Sequence, residues 1–102
     1  MKVNVNVLNG PALDWAVEEA EGEMHLRRYI SPYSTDWAFG GVIIEREKIT
    51  LDWRPDIDSA RPWIATLPSG AEEMGVTPLI AAMRVYASGA LGDKIDIPEE
   101  LL

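Results

Sequence analysis

The residues of this chain best suited to holding a ligand are Tyr33, Ser34, Thr35, Asp36, Trp37, Gly40 and Gly41, which read as one short loop leading into Val42-Ile43-Ile44-Glu45-Arg46-Glu47. Aromatic rings, hydroxyls, a carboxylate and a glycine pair build cores poorly, but a rigid scaffold can aim them at a bound molecule. Trp37 offers a face for stacking a planar ring. Gly40-Gly41 leaves backbone N–H groups accessible, and Arg28 and Arg46 can supply positive charge to a phosphate. Trp53 and Trp63 could stack a ring too, but their alternating surroundings fit cross-strand partners better.

Other chemistries lack their parts. The one histidine, His25, has no Gly-x-Ser-x-Gly elbow to serve. There is no cysteine, so neither a thiolate nucleophile nor a disulfide is available. Asp52, Asp56 and Asp58 do not follow a calcium-loop pattern and read as turn residues; no metal or cofactor is expected. The run Glu18-Glu19-Glu21-Glu23 reads as the solvated face of a helix. The residues therefore point to binding without catalysis.

These residues must be positioned by elements that the pattern partly predicts. Val3, Val5 and Val7 alternate with polar neighbours as a strand does. Pro11 opens a helix over Pro11–Glu21, with Leu13, Ala16, Val17 and Ala20 on one face. Trp15 lies off that stripe, where it either packs under a loop or lines a binding surface. Met24, Leu26 and Ile30 suggest a second strand, and Val42–Glu47 fits either a helical turn or a strand. Ile49, Leu51 and Trp53 alternate within a strand over Lys48–Trp53, and Trp63–Leu67 reads as its hairpin partner, closed by Pro68-Ser69-Gly70. Thr77 and Pro78 start a helix over Thr77–Ser88 with Leu79, Ile80, Met83 and Ala87 inward. The fold expected is α+β: a small, mainly antiparallel sheet with two helices packed on one face, in one domain over residues 1–102.

Charge narrows the partners. A formal net charge of -8 disfavours phosphate backbones and anionic membranes, so neither nucleic acid nor a membrane is an expected partner. No run reaches the ~20 apolar residues of a membrane helix, and the start has no signal-peptide pattern. With 47% hydrophobic residues and four Trp in so short a chain, a homo-oligomer is expected.

Several co-linear blocks resemble one family. Asn9-Gly10-Pro11-Ala12-Leu13-Asp14-Trp15-Ala16-Val17, the Tyr33–Ala38 run with Gly40-Gly41 and Ile43–Glu47, Thr77-Pro78-Leu79-Ile80-Ala81-Ala82-Met83-Arg84, and Leu91-Gly92-Asp93 through Leu101 are similar to NinX-type proteins. These are small proteins of tailed bacteriophages and prophages. The resemblance implies a phage accessory protein of the host bacterial cytoplasm and brings no catalytic residues with it. The function expected is sequestration of a nucleotide-derived small molecule, such as a host immune signal. The alternative is an acidic inhibitor or adaptor that binds a host protein.

Overall fold

The computed structural model describes residues 1–22 and 30–102. The strand expected over Met24–Ile30, together with His25 and Arg28, lies almost wholly outside the described residues. The elements run β1 (Lys2–Asn4), a 3-10 turn (Val5–Val7), α1 (Gly10–Ala20), α2 (Trp37–Glu47), β2 (Thr50–Trp53), β3 (Trp63–Thr66), β4 (Glu72–Gly75), α3 (Pro78–Leu91), β5 (Lys94–Asp96) and a final 3-10 turn (Glu99–Leu101). The fold is α+β, with three helices and two antiparallel sheets.

The hub is α3. Thr77 caps it, its hydroxyl accepting the Ile80 N–H at 3.1 Å, and Pro78 fills the first turn. Leu79, Ala81, Ala82, Met83, Arg84, Val85 and Ala87 are all buried, which exceeds one amphipathic face. A helix buried on most sides must have neighbours on most sides, and α3 packs against α1, α2, β3 and β4. The two helices expected to share one face of a sheet are thus arranged differently: α3 meets the sheet, and α1 and α2 pack onto α3.

The strands form two sheets instead of one. The order β2-β3-β4 makes the larger sheet, with Trp53 opposite Trp63 and Trp63 opposite Gly75. A Cβ on Gly75 would lie 2.6 Å from the Ala81 backbone N, so a bare α-carbon lets β4 reach α3. The strand expected over Val3–Val7 stops at Asn4 and pairs with β5. Asn4 explains the break. Its side-chain oxygen accepts the Asn6 N–H at 3.1 Å and folds the chain into a turn, which leaves Val5 buried and Val7 exposed.

The expected loop around Gly40-Gly41 is a helix. Asp36 caps α2, its carboxylate accepting the Ala38 N–H at 2.9 Å, and Lys48 closes it at φ 55°. Two adjacent glycines disfavour a helix by about 1 kcal/mol each. Here tertiary packing overrides that preference, because a Cβ on Gly40 would sit 2.3 Å from the Tyr33 carbonyl oxygen.

Candidate functional site

Three of the expected ligand residues, Ser34, Thr35 and Trp37, line one hollow of about 250 Å³. Its opposite wall is the cap and first turn of α3: Thr77, Pro78, Leu79 and Ile80. The ring of Trp37 is 52% exposed at the mouth. Such a space offers the hydroxyls of Thr35 and Thr77 and one aromatic face, while the Ser34 hydroxyl is buried, and none of the described residues lining it is an arginine or lysine.

The floor of this site rests on carboxylates from α1. The Ser34 N–H donates to Asp14 Oδ1 at 2.8 Å, and the Tyr33 hydroxyl donates to Glu18 Oε1 at 3.3 Å. Asp14 and Glu18 stand one helical turn apart, both buried, with Glu18 only 2% exposed. The expectation that Glu18 belongs to a solvated face is therefore corrected. Its residue number falls within an acidic run, but its helical phase borders the buried stripe. Tyr33 is also buried, its ring meeting Phe39 edge-on at 6.3 Å between centroids. It supports the site and does not line it.

Burial holds the Asp14 carboxyl above its ordinary value of 3.8; the nearby Ser34 hydroxyl and N–H offset part of this, and the charge of Glu18 adds to it. The Ser34 hydroxyl lies close enough to favour the ionised carboxylate, yet makes no hydrogen bond of normal geometry among the described residues. A carboxyl raised on folding gives stability that is present below its unfolded value and lost as pH climbs through the folded one. Asp14→Asn keeps an oxygen for the Ser34 N–H and removes this loss. Its melting temperature should exceed that of the wild type by a few degrees at pH 7, and the gap should close toward pH 4. Thermal melts across that range check the sign.

The other expected residues go elsewhere. Asp36 serves as the α2 cap. Gly40 and Gly41 are helical, and the Gly40 N–H is spent on the Asp36 carbonyl at 3.0 Å, so the glycine pair presents no open phosphate cradle. Arg46 stands nine residues beyond Trp37, which is about 14 Å along the helix axis. It is already engaged: its guanidinium grips Glu21 through two bonds of 3.0 and 2.7 Å, meets Glu47 at 2.8 Å, and donates to the Tyr86 hydroxyl at 3.1 Å. Tyr86 in turn bonds Glu21. Arg46 holds Glu21 below the ordinary carboxylate range, the opposite sign to Asp14, so this clamp loses strength as pH falls. It joins the ends of α1 and α2 to α3 and does not meet a ligand at Trp37. Arg28 lies outside the described residues.

A larger groove of about 510 Å³ crosses the three-stranded sheet, lined among others by Asp52, Arg54, Arg61, Thr66, Glu72 and Met74. None of the expected site residues reaches it. Among the described residues, no group of three or more His, Asp or Glu stands together as a metal site, and no helix is long and apolar enough to cross a membrane.

Sequence reasoning missed the α3 wall of the hollow and the buried Asp14. A partial signal was present, since the first, second and third blocks of the family resemblance contribute Asp14, Ser34–Trp37 and Thr77–Ile80 respectively, and these meet here. A family model described as Bacteriophage P22, NinX, matches residues 4–88. The match spans most of the chain, and the chain belongs to that family. No curated protein matches it.

Proposed function

We propose that this member of the bacteriophage P22 NinX family works by binding, and that the hollow beside Trp37 receives the planar ring of a nucleotide-derived small molecule. One observation carries the reading. An exposed tryptophan stands over a concave space whose other polar groups are hydroxyls, all of it built on elements held from behind by α1 and α3. Ring recognition dominates among the described residues, because Arg46, one of the two arginines named for phosphate binding, is locked in a clamp elsewhere. Size limits the contact as well. Sites that engulf a whole ligand hold roughly 300–1,000 Å³, so a hollow of about 250 Å³ takes one ring and leaves the remainder of the molecule at the surface. Sequestration of a host immune signal by a phage accessory protein is the role this binding would serve.

Stacking on one aromatic side chain is worth ~1–3 kcal/mol. Trp37→Ala should therefore weaken binding at least tenfold, about 1.4 kcal/mol, while an exposed position leaves the melting temperature nearly unchanged. Titration calorimetry against cyclic dinucleotides and ADP-ribose derivatives tests this. Equal affinity of wild type and variant would remove Trp37 from the site.

A second reading, binding of a host protein, is favoured by the apolar exposure of α2. Val42 is 60% exposed, and Phe39 is exposed beside it. Aromatic side chains such as Phe39 are enriched in protein interfaces, and exposed apolar area beside one adds to the surface that binding would bury. Val42→Ser would weaken a protein complex and leave ring binding at Trp37 intact.

A further inference from the structure

Charge sorts the rings that the hollow beside Trp37 can take. Its described lining includes no arginine or lysine, and carboxylates surround it instead. Asp36 is exposed and stands between two lining residues, Thr35 and Trp37. Asp14 lies directly behind the wall, where it accepts the Ser34 N–H at 2.8 Å, and Glu18 follows one turn along α1 on the Tyr33 hydroxyl. None of these three carboxylates makes an ion pair with a described residue. Glu18 Oε2 is buried with no hydrogen-bond partner among the described residues. The described arginines are engaged elsewhere: Arg46 with Glu21, Arg54 with Asp56, Arg61 with Asp58, and Arg84 with two carbonyls.

Helix ends work the other way. The first turns of α2 and α3 both border the hollow, and a helix N-terminus is equivalent to about half a positive charge. Together they offset about one of the three carboxylates, and Asp36, as the cap of α2, already answers one of the two helix ends. The balance is negative. Asp14 and Glu18 are buried, so solvent and salt screen them less than a surface charge. A neutral ring gains little from such a field. A cationic ring gains from the field and from the indole face, because tryptophan attracts cations best among aromatic side chains. We propose, resting on the ring-binding reading above, that the hollow selects a positively charged planar ring: an N-alkylated pyridinium, such as the oxidised nicotinamide of a nucleotide. Asp14 and Asp36 set this selectivity through their field, while Trp37 makes the contact. A hollow of about 250 Å³ leaves the phosphates of such a nucleotide outside, away from the carboxylates.

Two small probes isolate the ring charge. The N-methylpyridinium form of nicotinamide is a cation, and meta-toluamide is its neutral isostere, with carbon in place of the ring nitrogen. In NMR titrations that follow the backbone amides around the hollow, the cation should bind about fivefold tighter or more at low salt. Trp37→Ala should weaken both probes. Asp14→Asn and Asp36→Asn each keep an oxygen for the N–H that the carboxylate holds, and Asn caps a helix about as well as Asp. Each should lower the ratio of the two affinities by about twofold or more. A ratio taken within one protein cancels any loss of folded material, so a purely structural role would not move it. Equal affinities for the two probes, both lost in Trp37→Ala, would overturn this inference and leave the ring reading standing. A preference for the cation that survives both Asn variants unchanged would also overturn it. If neither probe shifts the amides around the hollow, the ring reading fails and this inference fails with it.

Discussion

Arg84→Met is expected to destabilise the domain by about 3–5 kcal/mol, because two backbone carbonyls lose a charged donor at about 1–3 kcal/mol each. Arg84 is buried in the middle of α3. Its Nε donates to the Leu8 carbonyl and its Nη1 to the Met74 carbonyl, both at 2.8 Å. One side chain thereby ties the lead-in to α1 and the strand β4 to the central helix. Burial pushes the guanidinium below its ordinary value, and the charge of Arg61 adds to this, while Glu73 partly opposes it. Arginine ordinarily titrates above about 12, so it still carries its charge at neutral pH. Methionine fills most of the volume but leaves two buried carbonyls unpaired, at about 1–3 kcal/mol each. A domain of this size loses about 4–8 °C per kcal/mol, so a fall of about 15–30 °C is expected. A variant melting within a few degrees of the wild type would show that water reaches those carbonyls. Arg84→Lys, which can reach one carbonyl, should fall between the two.

Gly40→Ala should also destabilise, even though alanine is the better helix former by about 1 kcal/mol. The added methyl would sit 2.3 Å from the Tyr33 carbonyl oxygen and 2.6 Å from Leu79 Cδ2. Leu79 can shift, but the carbonyl is backbone and is held by a turn anchored on Asp14 and Glu18. Overpacking costs about 1–3 kcal/mol and sometimes more; a backbone contact this short takes the upper end, and after the helix gain of about 1 kcal/mol the net loss should be about 2 kcal/mol, or about 8–16 °C. Gly41→Ala is the control. Its methyl would meet Trp37 Cε3 at an ordinary 3.5 Å, so helix propensity should win and stability should rise by about 0.5–1 kcal/mol. Thermal melts of the pair decide the matter by sign. Because Tyr33 and Leu79 adjoin the hollow, Gly40→Ala should weaken ring binding as well.

Local signals in the sequence were enough to place α1, α3 and the β2–β3 hairpin. Pro11 and Pro78 marked first turns, Thr77 marked a cap, and Leu51 and Trp53 alternated as a strand does. The failures were cases where a distant group overrode a local preference. Gly40-Gly41 read as a loop because the carbonyl of Tyr33 that requires a bare α-carbon is visible only after folding. Val3–Val7 read as one strand because alternation does not show that Asn4 will capture the Asn6 N–H. Glu18 read as a surface charge because its partner, the Tyr33 hydroxyl, comes from a remote segment.

Part of the site was legible for the same reason. Ser34, Thr35 and Trp37 adjoin in sequence and stay together, whereas Arg46 shares the helix of Trp37 but stands at its far end. Adjacency along a chain survives folding, while a partnership across about 14 Å of helix requires knowing that the segment is a helix at all.

Native mass spectrometry of the protein purified from phage-infected, defence-active bacteria tests the binding claim most directly. The wild type should carry a discrete small-molecule mass that gentle denaturation releases with the ultraviolet absorbance of a nucleobase, and Trp37→Ala, folded to the same melting temperature, should lose it. A wild type that emerges without any bound mass, or a Trp37→Ala protein that retains the same adduct in the same proportion, would contradict the account.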